Sequence, residues 1–244
     1  MSRMPTDAEI DEMSEEELEA YLGSGPAQEL DRRARRDTGE GSSARPAWLR
    51  RSGAERGFGW LLTACALIGI LACWELITAQ LDLLRNPDAE LVCDVSPLVS
   101  CGDSLNVWQG NLLGVPNSFV GAIAFGALAA IGMVLLSGAR LPRWMWWGLS
   151  AGSLGGIAFV IWFLSVSIVT FGKLCPFCMV IWSVTIPVAA HSWAWAAAGG
   201  HLGLRDNLAL DVLKARWWIM AAMYLAVVLT IVIAFGGQLA RLFG

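Results

Sequence analysis

The chain has 244 residues, 56% of them hydrophobic and only 16% charged, where a soluble domain averages roughly a quarter charged. With a mean hydropathy of +0.55 it reads as a membrane protein. The net charge of -4 points to no partner, because most of the acid lies near the N-terminus, and no basic patch with interleaved aromatics suggests nucleic-acid binding.

Residues 1–57 form a polar tail. An acidic, helix-prone run at residues 8–21 is followed by four arginines between 32 and 36 and a Gly/Ser stretch at 39–43. The composition predicts a largely disordered segment on the cytoplasmic side. No signal peptide is evident, since the first apolar run starts far from Met1 and is long enough to span.

A bilayer span needs about 20 apolar residues. Five runs qualify, at roughly 58–80, 116–137, 144–171, 175–198 and 217–238, and residues 239–244 are left as a short outer tail. The expected fold is therefore all-α and polytopic, with a membrane domain over 58–238. Lys/Arg bias sets the orientation. Arg45, Arg50, Arg51 and Arg56 precede span one; Arg140 and Arg143 sit between spans two and three; Arg205, Lys214 and Arg216 sit between four and five. The opposite side has only Arg85, Lys173 and Arg241. The N-terminus is then cytoplasmic and the C-terminus extracytoplasmic. Trp144, Trp146, Trp147, Trp193, Trp195, Trp217 and Trp218 fall at the inner boundary, where an aromatic belt belongs.

This topology puts the loops after spans one and three on the same outer, oxidising side. They hold Cys93, Cys101, Cys175 and Cys178, four of the six cysteines. Cys65 and Cys73 fall inside span one and read as small packing residues. Gly148, Gly152 and Gly156 in span three, with Ala122, Gly126 and Ala130 in span two, have the spacing of close helix contacts. The first outer loop, residues 81–115, is long but contains Leu105, Val107, Trp108, Leu112 and Leu113. It predicts a short amphipathic segment covering the mouth of the bundle.

Cys175 and Cys178 lie three apart at a helix start, on one face and within bonding reach. The helix N-terminus favours the Cys175 thiolate, the reactive form. Cys93 and Cys101 bracket a short loop whose spacing permits an exchangeable disulfide. Two dithiols on one face make a thiol relay, and its electrons need an acceptor. With no haem, flavin or iron–sulfur motif visible, a lipid-soluble quinone beside Cys178 fits. Asn117, after Pro116 at the outer end of span two, either caps the helix or hydrogen-bonds a quinone oxygen. Glu75 is either functional or snorkels to the interface. Two other uses stay open: a structural disulfide in each loop, or a zinc site formed by the four outer cysteines.

The ordered motifs Cys93-Asp94-Val95-Ser96-Pro97-Leu98-Val99-Ser100-Cys101, Trp108-Gln109-Gly110, Pro116-Asn117-Ser118 and Cys175-Pro176-Phe177-Cys178 resemble the vitamin K epoxide reductase family. The match looks closest to bacterial, actinobacterial-type homologues. The resemblance implies a four-helix bundle around a quinone (menaquinone or ubiquinone), plus a fifth transmembrane helix, in a bacterial cytoplasmic membrane. It implies that Cys93 exchanges with a partner, Cys101 relays to Cys175, and Cys178 reduces the quinone beside Asn117. Vertebrate members have a tyrosine four residues after the second CxxC cysteine; here Trp182 takes that place in the expected quinone site. Many bacterial members continue into a fused thioredoxin-like domain. None fits before Gly244, so the expected electron donor is a separate DsbA-like thioredoxin-fold protein. A DsbB-type reductase would place its CxxC in the first outer loop, not the second. Outside this class, the rival is a membrane scaffold or zinc-binding protein with structural cysteines.

Overall fold

The computed structural model describes residues 54–243 apart from 88, 90, 95, 97 and 106, together with Ser14 and Glu16. The expectations for the rest of the polar tail, including its helix-prone run and Arg45, Arg50 and Arg51, lie outside the described residues.

A backbone crossing hydrocarbon must satisfy its own polar groups, and helices do this within one segment. The chain forms α1 (Ala54–Arg85), α2 (Gly102–Leu105), a 3₁₀ turn (Trp108–Asn111), α3 (Asn117–Leu136), α4 (Arg143–Val166) continuing as π-helix over Ser167–Phe171, α5 (Pro176–Ala198) and α6 (Asp206–Phe243). Five of these, α1, α3, α4, α5 and α6, are long and apolar enough to cross a bilayer. No strand occurs among the described residues, only isolated bridges. The fold is all-α, as the composition predicts.

The helices outrun the apolar runs. α1 continues through Leu81-Asp82-Leu83-Leu84 to Arg85, and α6 begins at Asp206. Both extensions mix charged and apolar residues and include no proline or glycine to stop them.

α1 packs along α3 and α5, and α5 also packs against α4 and α6. α5 is thus the central helix. α1, α3, α4 and α5 make the bundle, and α6 lies against its side. Pro187 in α5 has no N–H, so the Ser183 carbonyl one turn earlier loses its helical donor. The Tyr224 hydroxyl of α6 donates to that carbonyl and ties the fifth helix to the bundle.

The close approach is between α1 and α3. A Cβ on Gly132 would strike Thr63, and one on Gly59 would meet the Gly132 carbonyl at 3.1 Å. Gly132→Val should lower stability by about 1–3 kcal/mol through overpacking, read as a lower Tm in detergent. An unchanged Tm would mean the two helices are free to separate.

The small residues singled out in the sequence behave otherwise. Gly148 and Gly152 of α4 and Gly126 of α3 have no neighbour within 4 Å of an added Cβ. Only Gly156 makes a near approach, with Thr185 Cγ2 3.1 Å away. The correction has a physical cause: α3 and α4 stand apart, and a cavity occupies the space between them.

The aromatic belt is also thinner than its tryptophan count. Trp144, Trp147, Trp217 and Trp218 are exposed. Trp146 is core, stacked between Phe58 at 5.9 Å and His201 at 5.4 Å.

Candidate functional site

Gly172 is left-handed at φ 61° and turns the chain sharply out of the π-helix. Leu174 then pairs with the first loop. Its N–H donates to the Leu98 carbonyl at 2.9 Å, and its carbonyl accepts from the Ser100 N–H at 3.1 Å. The loop is itself closed by reciprocal backbone bonds between Ser96 and Val99, at 3.2 and 3.0 Å. Cys93 and Cys101 form a disulfide at the base of this small ring, with Cα atoms 5.7 Å apart.

Asp94 reinforces the ring by accepting the Cys101 N–H at 3.0 Å. Slight burial works against its charge. Hydrogen bonds from Ser100 and from the backbone N–H groups of Cys101, Gly102 and Leu91 outweigh that, and hold the carboxyl below its usual range. Asp94 is therefore ionised, and the ring stays tied, throughout the neutral range.

This pairing brings one residue of each dithiol together. Cys101 Sγ lies 3.4 Å from Cys175 Sγ, and both residues are buried. Cys175 is the N-cap of α5, where its sulfur accepts the Cys178 N–H at 3.5 Å. Such a position favours a thiolate. Cys178 sits one step further on and lines the cavity, which Cys175 does not. The order Cys93, Cys101, Cys175, Cys178, cavity is continuous in space. The arrangement supports thiol–disulfide exchange, because the sulfur of Cys101 is bonded to one partner and touches the next.

While Cys93 and Cys101 are joined in the disulfide, neither is a free thiolate. Among the described residues no group of three or more His, Cys, Asp or Glu side chains is arranged to hold a metal ion.

The cavity encloses about 530 Å³, inside the roughly 300–1,000 Å³ range of small-molecule sites. One end is bordered by Cys178, Asn117, Ser118 and Gln80, and the other reaches Gly148, Leu149 and Val188. At a helical rise of 1.5 Å per residue, that is on the order of 20 Å. The walls are overwhelmingly apolar, and Trp182, buried in α5, forms part of them. Residues of α2, the 3₁₀ turn and the segment after it close the polar end, among them Ser104, Leu105 and Leu112. The expected amphipathic cover is present, with Gln109 buried and Trp108 and Leu113 exposed.

Asn117 fastens this cover. Its Oδ1 accepts the Leu112 N–H at 3.1 Å, and its Nδ2 donates to the Gln109 carbonyl at 2.6 Å. Two residues given no part by sequence reasoning also belong here. Gln80 is buried and donates to the Leu105 carbonyl at 3.3 Å and to Asn111 Oδ1 at 3.2 Å. Ser118 lines the same end. Cys73, read as packing, is fully buried and lines the cavity as well. Glu75 is exposed on the outer face of α1, away from the cavity.

The sequence model of the Vitamin K epoxide reductase family matches residues 60–193, more than half of the chain. A comparison with curated proteins finds no match. The matched stretch contains both dithiols, the cover and most of the four helices that surround the cavity. Members of that family act on thiols within the membrane and use quinones. With five helices able to span a bilayer and one cysteine pair at disulfide distance beside another, this chain is a multi-pass membrane oxidoreductase and belongs to the vitamin K epoxide reductase family.

Proposed function

We propose that the protein is a thiol–quinone oxidoreductase that reoxidises an extracytoplasmic thioredoxin-fold partner and so supports disulfide formation. The partner's thiolate attacks Cys93, breaking the Cys93–Cys101 bond and forming a mixed disulfide. The partner's second thiol resolves it and leaves oxidised. Cys101 attacks Cys175 in the oxidised CxxC pair, and Cys93 closes on Cys101 as Cys175 and Cys178 are freed. Two electrons and two protons then pass from Cys175 and Cys178 to the acceptor, and a disulfide re-forms between them. A bound quinone supplies a two-electron, two-proton sink that dissolves in the bilayer.

The observation that carries this reading is the 3.4 Å contact between Cys101 Sγ and Cys175 Sγ, which joins the loop pair to the pair beside the cavity. The contacting atoms are those the relay needs, and the same contact serves forward and reverse exchange. The cavity's length and apolar walls suit a prenylated ring better than a water-soluble acceptor. Menaquinone and ubiquinone both have that form. Cys178, Asn117 and Trp182 border the ring end. Cys93 itself is 3% exposed, between exposed Val92 and Asp94. A partner must therefore displace the ring edge before it reaches the sulfur.

In this proposal the redox cysteines and the C-terminus face outward, and the polar N-terminal tail faces the cytoplasm of a bacterial cell. Residues 58–238 make up the functional membrane domain.

Reconstituted protein supplied with a reduced thioredoxin-fold protein should produce one hydroquinone per partner disulfide formed. Gly152→Leu tests the acceptor site, because the glycine faces open cavity and a larger side chain there costs no packed neighbour. It should cut quinone reduction by on the order of tenfold or more while exchange between the two cysteine pairs continues. Partner oxidation without any hydroquinone would overturn the proposal.

A further inference from the structure

We infer that an anionic phospholipid binds a groove on the lipid-facing side of α4 and α5, with its phosphate at Arg143, an ester carbonyl at the Ser150 hydroxyl and an acyl chain along Ala151 and Leu154. The site belongs to the N-terminal half of α4, away from the dithiols, and is independent of the quinone reading.

The groove is open to the side and holds about 470 Å³. Trp147, Ser150, Ala151 and Leu154 of α4 line it with Trp193 of α5 and Leu202 of the turn that follows. Its two aromatic walls are fixed by backbone. The Trp147 indole N–H donates to the His201 carbonyl at 2.7 Å, and the Trp193 indole N–H to the Ser150 carbonyl at 3.2 Å. Both rings thus spend their polar atom on the protein and offer the groove apolar surface. Its ends differ in chemistry. The exposed Arg143 guanidinium lies over the Trp147 ring, 5.1 Å from the centroid, and among the described residues no carboxylate pairs with it. Leu154 lies about 16 Å further along the helix. The N-cap of α4 is Pro142, with no side-chain capping bond, so the helix adds its positive end beside Arg143. A cationic end above an apolar run complements an anionic headgroup above its chain. A zwitterionic headgroup would bring its own cation to the same place.

A second, independent observation marks the middle of the groove. Ser150 is 9% exposed, and its Oγ has no hydrogen-bond partner among the described residues. Buried hydroxyls are rarely left so, least of all at hydrocarbon depth. Other serines in the spanning helices bond a carbonyl three or four residues back: Ser153 bonds Leu149, Ser165 bonds Ile161, and Ser183 bonds Val180. Ser150 has the Trp146 and Trp147 carbonyls within the same reach in sequence and uses neither. The other buried unpartnered groups are Ser118, which lines the large cavity, and Ser192 and His191 Nε2, whose residues line neither space. Ser150 is about 4.5 Å deeper along the helix than Trp147, on which the guanidinium rests. A glycerol backbone spans that step between phosphate and ester carbonyl.

The test uses the full chain in detergent, stripped of lipid. Native mass spectrometry counts bound molecules as phosphatidylglycerol or phosphatidylcholine of matched chains is added. The wild type should take up one phosphatidylglycerol about fivefold more tightly than phosphatidylcholine, the effect of one arginine, and Arg143→Gln should abolish that preference. Ser150→Ala should weaken both lipids alike, by up to about tenfold, the equivalent of one hydrogen bond. Ala151→Phe fills the groove from an exposed position and should weaken phosphatidylglycerol by about tenfold or more, with the Tm of the lipid-free protein unchanged. Leu225→Phe, exposed on α6 outside the groove, should change nothing. Equal affinity of the wild type for the two lipids, or wild-type affinity in Ala151→Phe, would overturn the inference. So would an equal loss in Leu225→Phe, which would mark a general lipid annulus.

Discussion

On the proposed relay, Cys178→Ala should abolish quinone reduction, with a loss on the order of a thousandfold or more, because Cys175 is left without the partner thiol with which it closes a disulfide. Cys175 is buried and outside the cavity lining, whereas Cys178 lines it. Without Cys178, Cys175 cannot close a disulfide within its own pair, so two electrons have no joint exit. Electrons entering from the partner then stop upstream. Cys93 and Cys101 accumulate as free thiols, which alkylation and mass analysis of the loop peptide reads directly. The substitution removes one half-buried sulfur and leaves the Cys101–Cys175 contact in place, so the fold is kept. Unchanged quinone turnover in this variant would remove the CxxC pair from the pathway.

Cys101→Ala cuts the relay in its middle and leaves its mouth intact. Cys93 can still be joined to a partner that lacks its own second, resolving cysteine and carries its remaining one as a mixed disulfide with a small thiol, which leaves as the complex forms. The intramolecular thiol that would displace that partner is gone, since Cys101 is the bonded neighbour of Cys93. A covalent complex between this chain and its thioredoxin-fold partner should persist on a non-reducing gel and vanish with reductant. Turnover should fall to the uncatalysed level, again on the order of a thousandfold or more. The reciprocal variant, Cys93→Ala, should give no such complex. If Cys93→Ala trapped the partner and Cys101→Ala did not, the order of the two loop cysteines would be reversed.

The all-α fold and the pairing of Cys93 with Cys101 were legible in the sequence, because they follow from apolar run length and cysteine spacing. The proposed order of the relay came only from family resemblance. The chain alone offers no reason for Cys101, rather than Cys93, to meet Cys175. That contact depends on main-chain bonds from Leu98 and Ser100 to Leu174, and backbone groups leave no mark in residue identity. The glycines of α4 were misread for a related reason. A small residue reads the same whether it admits a neighbouring helix, as Gly132 does, or leaves room for a ligand, as Gly152 does. Gln80 was passed over as the polar end of an apolar run. Its signal was an amide one helical turn after Leu76, which also borders the cavity, but only burial separates such a residue from an interfacial one. Ser118 stood inside a quoted motif without a role, because its distinction is the partner it lacks.

The tie between Leu98–Ser100 and Leu174 also fixes what this loop can tolerate in descent. The ladder itself uses main-chain groups only, while the Ser100 side chain serves Asp94 and Leu98 packs on the core. Segment length cannot vary. One residue inserted between Ser100 and Cys101 would keep the ladder yet turn the next side chain to the opposite face, as any single-residue slip does. Cys101 would point away from Cys175 with every motif letter still present. Alignments that preserve the cysteines but gap this interval would therefore mark proteins in which the proposed relay is broken, a lesion invisible to a count of cysteines.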